Sequence, residues 1–525
     1  MTSHPPRRRA TTVAAVALAA ASMVLAGCTS SGSTTDTSSG STAAGTPKPG
    51  GTLTVGIVGG STKDSLDANN PITHPDEARV INLYSPLATF DTNNNIVMDL
   101  ADKITGSADA KTWTVHLRPG LKFSNGAPIT AADVIFTYQR ITDPKNPLGG
   151  AAALATLERN KMTAPDPQTV VFPFSAPTVT FPETAAGYVN GIVPVGYDPT
   201  KPISSGPFML QAFTPGQQST FVKNPNYWRT GQPYLDKLVL IDFPDDTARV
   251  NALLGGQVDA IDQLPLGQYS VISANPQLKV LESKTGNWDP FTMRVDQPPF
   301  NNPLVRQAFR LIVDRQQMVE QVLGGHGTIG NDMYSPLDPC YPSTIPQRAQ
   351  DIAKAKQLLA EAGQSNLTVT LYTSPVAAGI VEAAQVFAQQ AKAAGVTVNV
   401  QQVDPGTYYG SQYLKWTFAQ DFYFTRNYIS QAFASTMPGA PYNETHWSNP
   451  QWTALVNQAN STLDPTARCK IIAQAQQIEY DQGGYIIWGF PNNVDAYSSK
   501  VSGFVPDKTG IPLSSYGFDN VWLNQ

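Results

Sequence analysis

The sequence is poor in the residues that build metal and redox sites. Its 525 residues include only three cysteines and five histidines, and none of the motifs HExxH, CxxC and GxxxxGK[ST] is present. We therefore expect no metal site, no cofactor and no P-loop chemistry. Charged residues make up 14% of the chain, the formal net charge is −5, and no Lys/Arg-rich block follows the first ten residues. The electrostatic signature of a nucleic-acid-binding protein is therefore missing.

The first 27 residues have the organisation of an export signal. Three arginines at 7–9 precede an apolar stretch at 13–25, which is of signal-peptide length and too short to span a bilayer comfortably. The segment 25–28, Leu-Ala-Gly-Cys, resembles a bacterial lipobox, in which the cysteine becomes the acylated first residue of the mature chain. We predict a signal peptide at 1–27, acylation of Cys28 and anchoring to the outer face of the cytoplasmic membrane. A buried cysteine in an ordinary helix is the alternative.

Residues 28–49 are predicted to form a disordered tether. They are rich in Ser, Thr and Gly and show no apolar periodicity, so they offer nothing to bury. A tether would leave a folded domain mobile near the membrane. A plain export linker without a mechanical role fits the same sequence.

Strand and helix patterns alternate along the rest of the chain. Residues 51–58 and 112–117 alternate apolar and polar side chains, which is typical of half-buried strands. The segments 367–372, 380–394 and 396–400 predict a strand, a helix and a strand, which together form a βαβ unit. Two further strands are expected at 121–123 and 485–490. Helices are expected after the following capping residues: Thr130, Asn302, Asp314, Asn449 and Asp464. This mixture, without internal repeats, indicates an α/β protein.

Several motifs, spread in order over nearly the whole chain, resemble one family of transport proteins. They are WTVHLRPGLKFSNGAPITAADV at 113–134, SGPF at 205–208, NPNYW at 224–228, GQVD at 256–259, FNNPLVRQAFRLIVDR at 300–315 and AKQLLAEAG at 355–363. Together they resemble the family 5 extracellular solute-binding proteins of ABC importers. That family includes dipeptide-, oligopeptide- and nickel-binding proteins.

The resemblance implies a fold and a function. The fold would be a two-lobed clamp of the periplasmic-binding-protein type (type II) with an extra small domain and a ligand cleft between the lobes. The implied divisions are 50–84, 199–286 and 487–525 for lobe I, 85–198 for the small domain and 287–486 for lobe II. The implied function is capture of a solute by closure of the lobes and its delivery to ABC permease subunits. We expect a monomer with no enzymatic activity.

A secreted hydrolase is the alternative class of function. No GxSxG motif is present, and the histidines lie in segments that look like loops or, for His116, on the exposed side of a strand. Asp245 and Asp246 could in principle perform acid/base chemistry, but adjacent carboxylates are more typical of a solvated turn. No group of residues supports catalysis.

Apart from Cys28, the chain has two cysteines, Cys340 and Cys469. Outside the membrane two thiols tend to be oxidised, so we predict a disulfide between them within lobe II. Two separate buried thiols are the alternative, because sequence does not show proximity.

A short peptide is the expected ligand, with a non-peptide solute such as an oligosaccharide or an amino-acid conjugate as the alternative. Peptide binders of the family hold the ligand's amino terminus with an aspartate in the second lobe, but the corresponding stretch here, TRNYISQ at 425–431, contains no acidic residue. It contains Arg426, whose guanidinium suits a carboxylate, a phosphate or a flat acyl group. Pairing of Arg426 with a surface carboxylate is the alternative. We predict that the polar or anionic group of the ligand lies near Arg426 and Asn427, with its apolar parts on Tyr423, Tyr428, Trp416 and Trp288.

Overall fold

The computed structural model describes residues 45–524. The predicted signal peptide, the predicted acylation site Cys28 and most of the predicted tether lie outside the described residues. None of the helices in the described range has the length and apolar character that a bilayer crossing requires.

Within this range the strands are, in chain order, β1 (Thr52–Val58), β2 (Ala88–Phe90), β3 (Ile96–Met98), β4 (Ala101–Gly106), β5 (Thr112–Leu117), β6 (Thr163–Asp166), β7 (Thr169–Pro173), β8 (Phe208–Thr214), β9 (Gln218–Lys223), β10 (Lys237–Phe243), β11 (Ala260–Ile261), β12 (Leu278–Ser283), β13 (Phe291–Met293), β14 (Gly327–Ile329), β15 (Thr368–Thr373), β16 (Thr397–Gln402), β17 (Phe418–Gln420), β18 (Tyr485–Ile486), β19 (Gly489–Pro491), β20 (Asn493–Ser498), β21 (Val501–Ser502) and β22 (Trp522–Leu523).

The α-helices of the same range are α1 (His74–Leu83), α2 (Ala131–Ile141), α3 (Phe181–Ala186), α4 (Asp246–Leu254), α5 (Tyr269–Ser273), α6 (Pro303–Ile312), α7 (Arg315–Leu323), α8 (Ile352–Glu361), α9 (Ile380–Ala393), α10 (Pro405–Tyr408), α11 (Tyr428–Ser435), α12 (Pro450–Asn460) and α13 (Pro465–Gln482). A helical turn at Pro512–Ser515 has left-handed backbone angles at Leu513 and Ser514.

Lobe I is built on a seven-stranded sheet with the order β12-β20-β11-β1-β10-β9-β8. The central strand β1 runs parallel to β10 and β11, and the outer pairs are antiparallel. The alternation that predicted β1 places Leu53, Val55 and Ile57 in the core with no exposed surface.

The small domain is built on a four-stranded antiparallel sheet, β4-β5-β7-β6, covered by α2. The capping box of Thr130 and Asp133 starts α2 as expected, and Val134 and Tyr138 are fully buried. The predicted strand at 121–123 was wrong: it forms only one bridge, Lys122 with Pro128. Proline has no N–H to extend a strand pairing, and the chain turns at Gly126, whose φ is +86°.

Lobe II is built on a five-stranded sheet with the order β16-β15-β17-β13-β18. The parallel pair β15 and β16, joined by α9, confirms the predicted βαβ unit. Asn302, Asp314, Asn449 and Asp464 each accept a backbone N–H at a helix start, which confirms these predicted caps.

The chain passes between the two large sheets twice, after β12 and after β18. The residues predicted as one strand at 485–490 form two strands in different sheets, because β18 pairs with β13 whereas β19 pairs with β14. Between them the Ile487 N–H donates to Oδ1 of the buried Asp332, which ends the first pairing. The predicted domain boundaries themselves remain a proposal.

The predicted disulfide is present within lobe II. Cys340 and Cys469 are bonded, with their Cα atoms 4.6 Å apart. The bridge ties the loop that follows β14 to α13.

Candidate ligand-binding cleft

An extended segment, 421–427, leads from β17 to α11 and presents different residues on its two sides. Phe422 is partly exposed, Phe424 is 44% exposed and Arg426 is exposed. Asp421 and Tyr423, which alternate with them, are buried. This period of two is that of a strand. The segment therefore has one accessible face, carrying two phenyl rings and a guanidinium.

Arg426 makes no ion pair with any residue in the part of the chain that the structure describes. Its charge acts instead on Tyr188 of the small domain. Burial and the nearby Glu77 carboxylate raise the pKa of Tyr188, and the positive charge of Arg426 opposes that shift. The guanidinium therefore lies on the boundary between lobe II and the opposing small domain.

Asn427 stands next to Arg426 at the start of α11 but does not cap this helix with its side chain. Its backbone N–H donates to Glu183 Oε1 of the small domain at 3.3 Å. The following N–H, of Tyr428, donates to Asp338 Oδ2 at 2.7 Å. These two carboxylates take the first backbone donors of the helix, and Glu183 also receives a side-chain hydrogen bond from Asn427. The remaining polar atom of the Asn427 amide, Oδ1, is buried without a hydrogen bond.

Trp288 and Tyr423 pack face to face behind this segment. Their ring centroids are 4.4 Å apart with 16° between the planes, and their backbones exchange two hydrogen bonds of 3.0 and 2.9 Å. Only 1% of Trp288 and 7% of Tyr423 are exposed. The structure thus brings together two of the aromatic residues that were predicted for the ligand site, as a buried layer.

Tyr428 continues that layer through Tyr334, whose ring stacks on both Trp288 and Tyr428, whereas Trp416 lies apart from it. Tyr428 has no exposed surface, stacks on Tyr334, accepts a hydrogen bond from Trp452 Nε1 and donates to Glu479 Oε2. Trp416 lies over the five-stranded sheet, 4.3 Å from the ring of Tyr372.

The facing rim of lobe I carries polar side chains from the start of α1. His74 lies 3.4 Å from Glu77 through Nδ1 and 3.0 Å from Gln263 through Nε2. Burial lowers the pKa of His74, but the Glu77 carboxylate, together with the charge of Asp262, raises it, and the pKa is raised overall. The rim therefore presents a mixture of imidazole, carboxylate and amide groups.

The small domain also docks on lobe II away from Arg426. The Val179 N–H donates to the Asn460 carbonyl at 3.2 Å, and Asn460 Nδ2 donates to the Pro177 carbonyl at 3.0 Å. Val179 packs on an apolar cluster of lobe II, and Leu463 packs in return on the core of the small domain. The small domain and lobe II are therefore in contact along this boundary.

The predicted ligand site did not include Glu183, Phe422 or Phe424. Glu183 is 244 residues from its partner Asn427, and nothing local in the sequence pairs them. Phe422 and Phe424 had a usable signal, because strand alternation places them on the same side as Arg426.

Among residues 45–524 no group of three or more His, Cys, Asp or Glu side chains is arranged to hold a metal ion. His116, the one histidine predicted on a strand, pairs with Asp102 at 2.8 Å on an exposed part of the small domain. Asp245, considered above for acid/base chemistry, caps α4.

Two α/β lobes joined by two chain crossings are the architecture of two-lobed binding proteins, which hold ligands in the cleft between their lobes. Residues 95–449 match the family described as "Bacterial extracellular solute-binding proteins, family 5 Middle". That span is more than half of the chain, so the chain belongs to the family 5 extracellular solute-binding proteins. Members of this family are extracytoplasmic components of ABC importers.

Curated relatives and solved structures cover nearly the whole chain. The chain is 26% identical over 490 residues to the glutathione-binding protein GsiB of Salmonella typhimurium, covering 88% of this chain and 92% of that protein. It is 27% identical over 468 residues to heme-binding protein A of Haemophilus influenzae, covering 82% and 85%. The oligopeptide-binding protein AppA of Bacillus subtilis, solved with a nonapeptide, has a similar fold, with a TM-score of 0.75, 24% identity and coverage of 91% and 100%.

Proposed function

We propose that this chain is the solute-capturing lipoprotein of a bacterial ABC importer and that its solute is a short peptide. In this proposal Cys28 carries the lipid, the protein acts as a monomer without catalysis, and the closed clamp docks on the permease. The peptide assignment is supported by relatives that bind glutathione or were solved with a nonapeptide.

The observation that carries the site assignment is the unpaired guanidinium of Arg426 beside Asn427, whose buried Oδ1 has no hydrogen-bond partner. A guanidinium offers two parallel N–H donors to a carboxylate. An amide oxygen accepts from a peptide N–H. Together they suit the carboxyl terminus and the last N–H of a peptide.

The partly exposed ring of Phe422 and the exposed ring of Phe424, which form an edge-to-face pair with centroids 5.7 Å apart, would take the apolar side chains. The stacked Trp288 and Tyr423 would support them from behind, with Tyr428 deeper in the core. Trp416 would contact the apolar part of the ligand from the segment that covers the five-stranded sheet.

Calorimetric titration with tri-alanine and with its C-terminal amide tests this assignment. Loss of a charged hydrogen bond in a desolvated site costs about 1.5–3 kcal/mol, so wild type should bind the free acid roughly ten- to a hundredfold more tightly than the amide. Arg426→Ala should bind both equally. Lys356→Ala, which removes an exposed charge on α8, should behave as wild type.

Equal dissociation constants for the free acid in wild type and Arg426→Ala would remove Arg426 from the site. The relative that binds heme supports one second candidate, a non-peptide solute. Binding of such a solute, with no response to either tri-alanine form, would favour that candidate.

A further inference from the structure

The extended segment 421–427 is hydrogen-bonded to the first chain crossing, which follows β12. Trp288, in that crossing, exchanges two backbone hydrogen bonds with Tyr423. Two residues earlier in the crossing, the Gly286 N–H donates to Thr425 Oγ1 at 2.9 Å. The crossing and the extended segment therefore lie side by side, with hydrogen bonds at both ends of their contact.

Asn287 lies between these two contacts, and its side-chain amide has partners on both sides. Its Oδ1 accepts the Thr425 N–H at 2.8 Å and the Thr425 hydroxyl at 3.1 Å. Because a backbone N–H can only donate, the amide oxygen faces Thr425, and the amide nitrogen faces the other way. There Nδ2 donates to Asn493 Oδ1 and to the Gly510 carbonyl, each at 3.4 Å. One side chain thus joins the residue before Arg426 to two segments outside lobe II.

Asn493 and Gly510 both belong to lobe I. Asn493 begins β20 of the seven-stranded sheet, and its Nδ2 donates to the Gly510 carbonyl at 2.7 Å. Leu513, three residues after Gly510, is fully buried in the core of lobe I. A Cβ atom on Gly510 would stand 2.3 Å from Asn287 Oδ1 and 2.8 Å from Thr425 Oγ1. The backbone of lobe I therefore packs directly against Asn287 and the extended segment.

We propose that Asn287 is a positioning residue that holds the extended segment against lobe I, and that this contact favours the arrangement in which the small domain meets lobe II. Tyr188 of the small domain packs on the core of lobe I, so a contact that fixes lobe I relative to lobe II also fixes the small domain. The apparent affinity for a solute that needs one arrangement rises with the population of that arrangement. The contact itself is independent of the solute, but its effect on affinity rests on the proposed function.

The variant Asn287→Asp separates the two halves of this contact. The aspartate keeps an oxygen for Thr425, but its second oxygen faces Asn493 Oδ1 and the Gly510 carbonyl, to which the amide nitrogen donated. Loss of this donor should shift the equilibrium between the lobe arrangements roughly threefold to tenfold. Asn366→Asp is the matched control and should behave as wild type, because it introduces the same charge at an exposed position of lobe II.

Amide hydrogen exchange of the protein without solute is the deciding measurement. In Asn287→Asp the Asn427 amide, whose acceptor Glu183 lies across the boundary, should exchange roughly threefold to tenfold faster than in wild type. The Thr425 amide keeps its acceptor and should exchange no faster. An unchanged rate at Asn427 would mean that Asn287 has no effect on the boundary, and it overturns the proposal. Equally faster exchange at Asn427 and Thr425 overturns it too, because the extended segment would then have loosened as a whole.

Titration with tri-alanine tests the effect on affinity separately. Asn287→Asp should bind the free acid roughly threefold to tenfold more weakly than wild type does. The preference for the free acid over the amide should stay as in wild type, because Arg426 is unchanged. An unchanged affinity, or a lost preference for the acid, would contradict an action through the lobe arrangement. Absence of tri-alanine binding by wild type would count against the peptide assignment, whereas the exchange rates would still decide the role of Asn287.

Discussion

Replacing Glu183 with alanine removes the acceptor that joins the small domain to the start of α11. The Asn427 N–H donates to Glu183 Oε1 at 3.3 Å. A hydrogen bond to a charged group contributes about 1.5–3 kcal/mol. Burial raises the pKa of Glu183, which shows that desolvation offsets part of this gain, while the Ser430 hydroxyl and the Asn427 N–H act in the opposite direction. We therefore take the lower end of this range, about 1.5 kcal/mol, which corresponds to a roughly tenfold change in an equilibrium constant.

Residue-resolved amide hydrogen exchange measures this contact directly and needs no ligand. In Glu183→Ala the Asn427 amide should exchange roughly tenfold faster than in wild type. The next amide, of Tyr428, is an internal control, because its acceptor Asp338 belongs to lobe II. Glu158→Ala is the matched variant, because that carboxylate pairs only with Lys161 on the surface of the small domain.

Two results would refute the reasoning. An unchanged exchange rate at Asn427 would mean that the Glu183 carboxylate does not accept the Asn427 N–H in solution. Equally faster exchange at Asn427 and Tyr428 would mean that the start of α11 unfolds, and not that the small domain separates from lobe II.

Three further predictions concern stability. Replacing both Cys340 and Cys469 with alanine should lower the free energy of unfolding by about 2–5 kcal/mol in denaturant titration, since the bridge closes a separation of 129 residues. Arg79→Met should lower the free energy of unfolding by about 3–5 kcal/mol in the same assay, because the fully buried guanidinium pairs with Asp64, Asp76 and Asp242. Burial raises the pKa of Glu479 to about 8, above its ordinary value near 4.3, so its contribution to stability is present at low pH and is lost as pH rises through 8. The free energy of unfolding of Glu479→Gln, relative to that of wild type, should therefore rise by roughly 1–3 kcal/mol between pH 6 and pH 8. A difference between the two proteins that does not change with pH would contradict this explanation.

The elements that the sequence predicted well depend on local chemistry. Asn302 and Asp464 start helices because their side chains accept the first free N–H groups, which any reader of the sequence can anticipate. The strand expected at 485–490 failed because its two halves have partners in different sheets. Partner choice in a sheet is non-local, so alternation within six residues does not reveal it.

The candidate site was predictable only in part, for the same reason. Arg426 and Asn427 could be singled out from the missing acidic residue, and the structure brings both to the lobe boundary. Tyr428 follows them in sequence, but the start of α11 turns its ring into the core of lobe II.

Small-angle X-ray scattering with and without solute tests the central claim, that this chain closes around a captured solute. The solute would be identified by native mass spectrometry of protein purified directly from cells. The account predicts a smaller radius of gyration and a more compact envelope at saturating solute, as the lobes close. An unchanged envelope at saturation would contradict capture by closure.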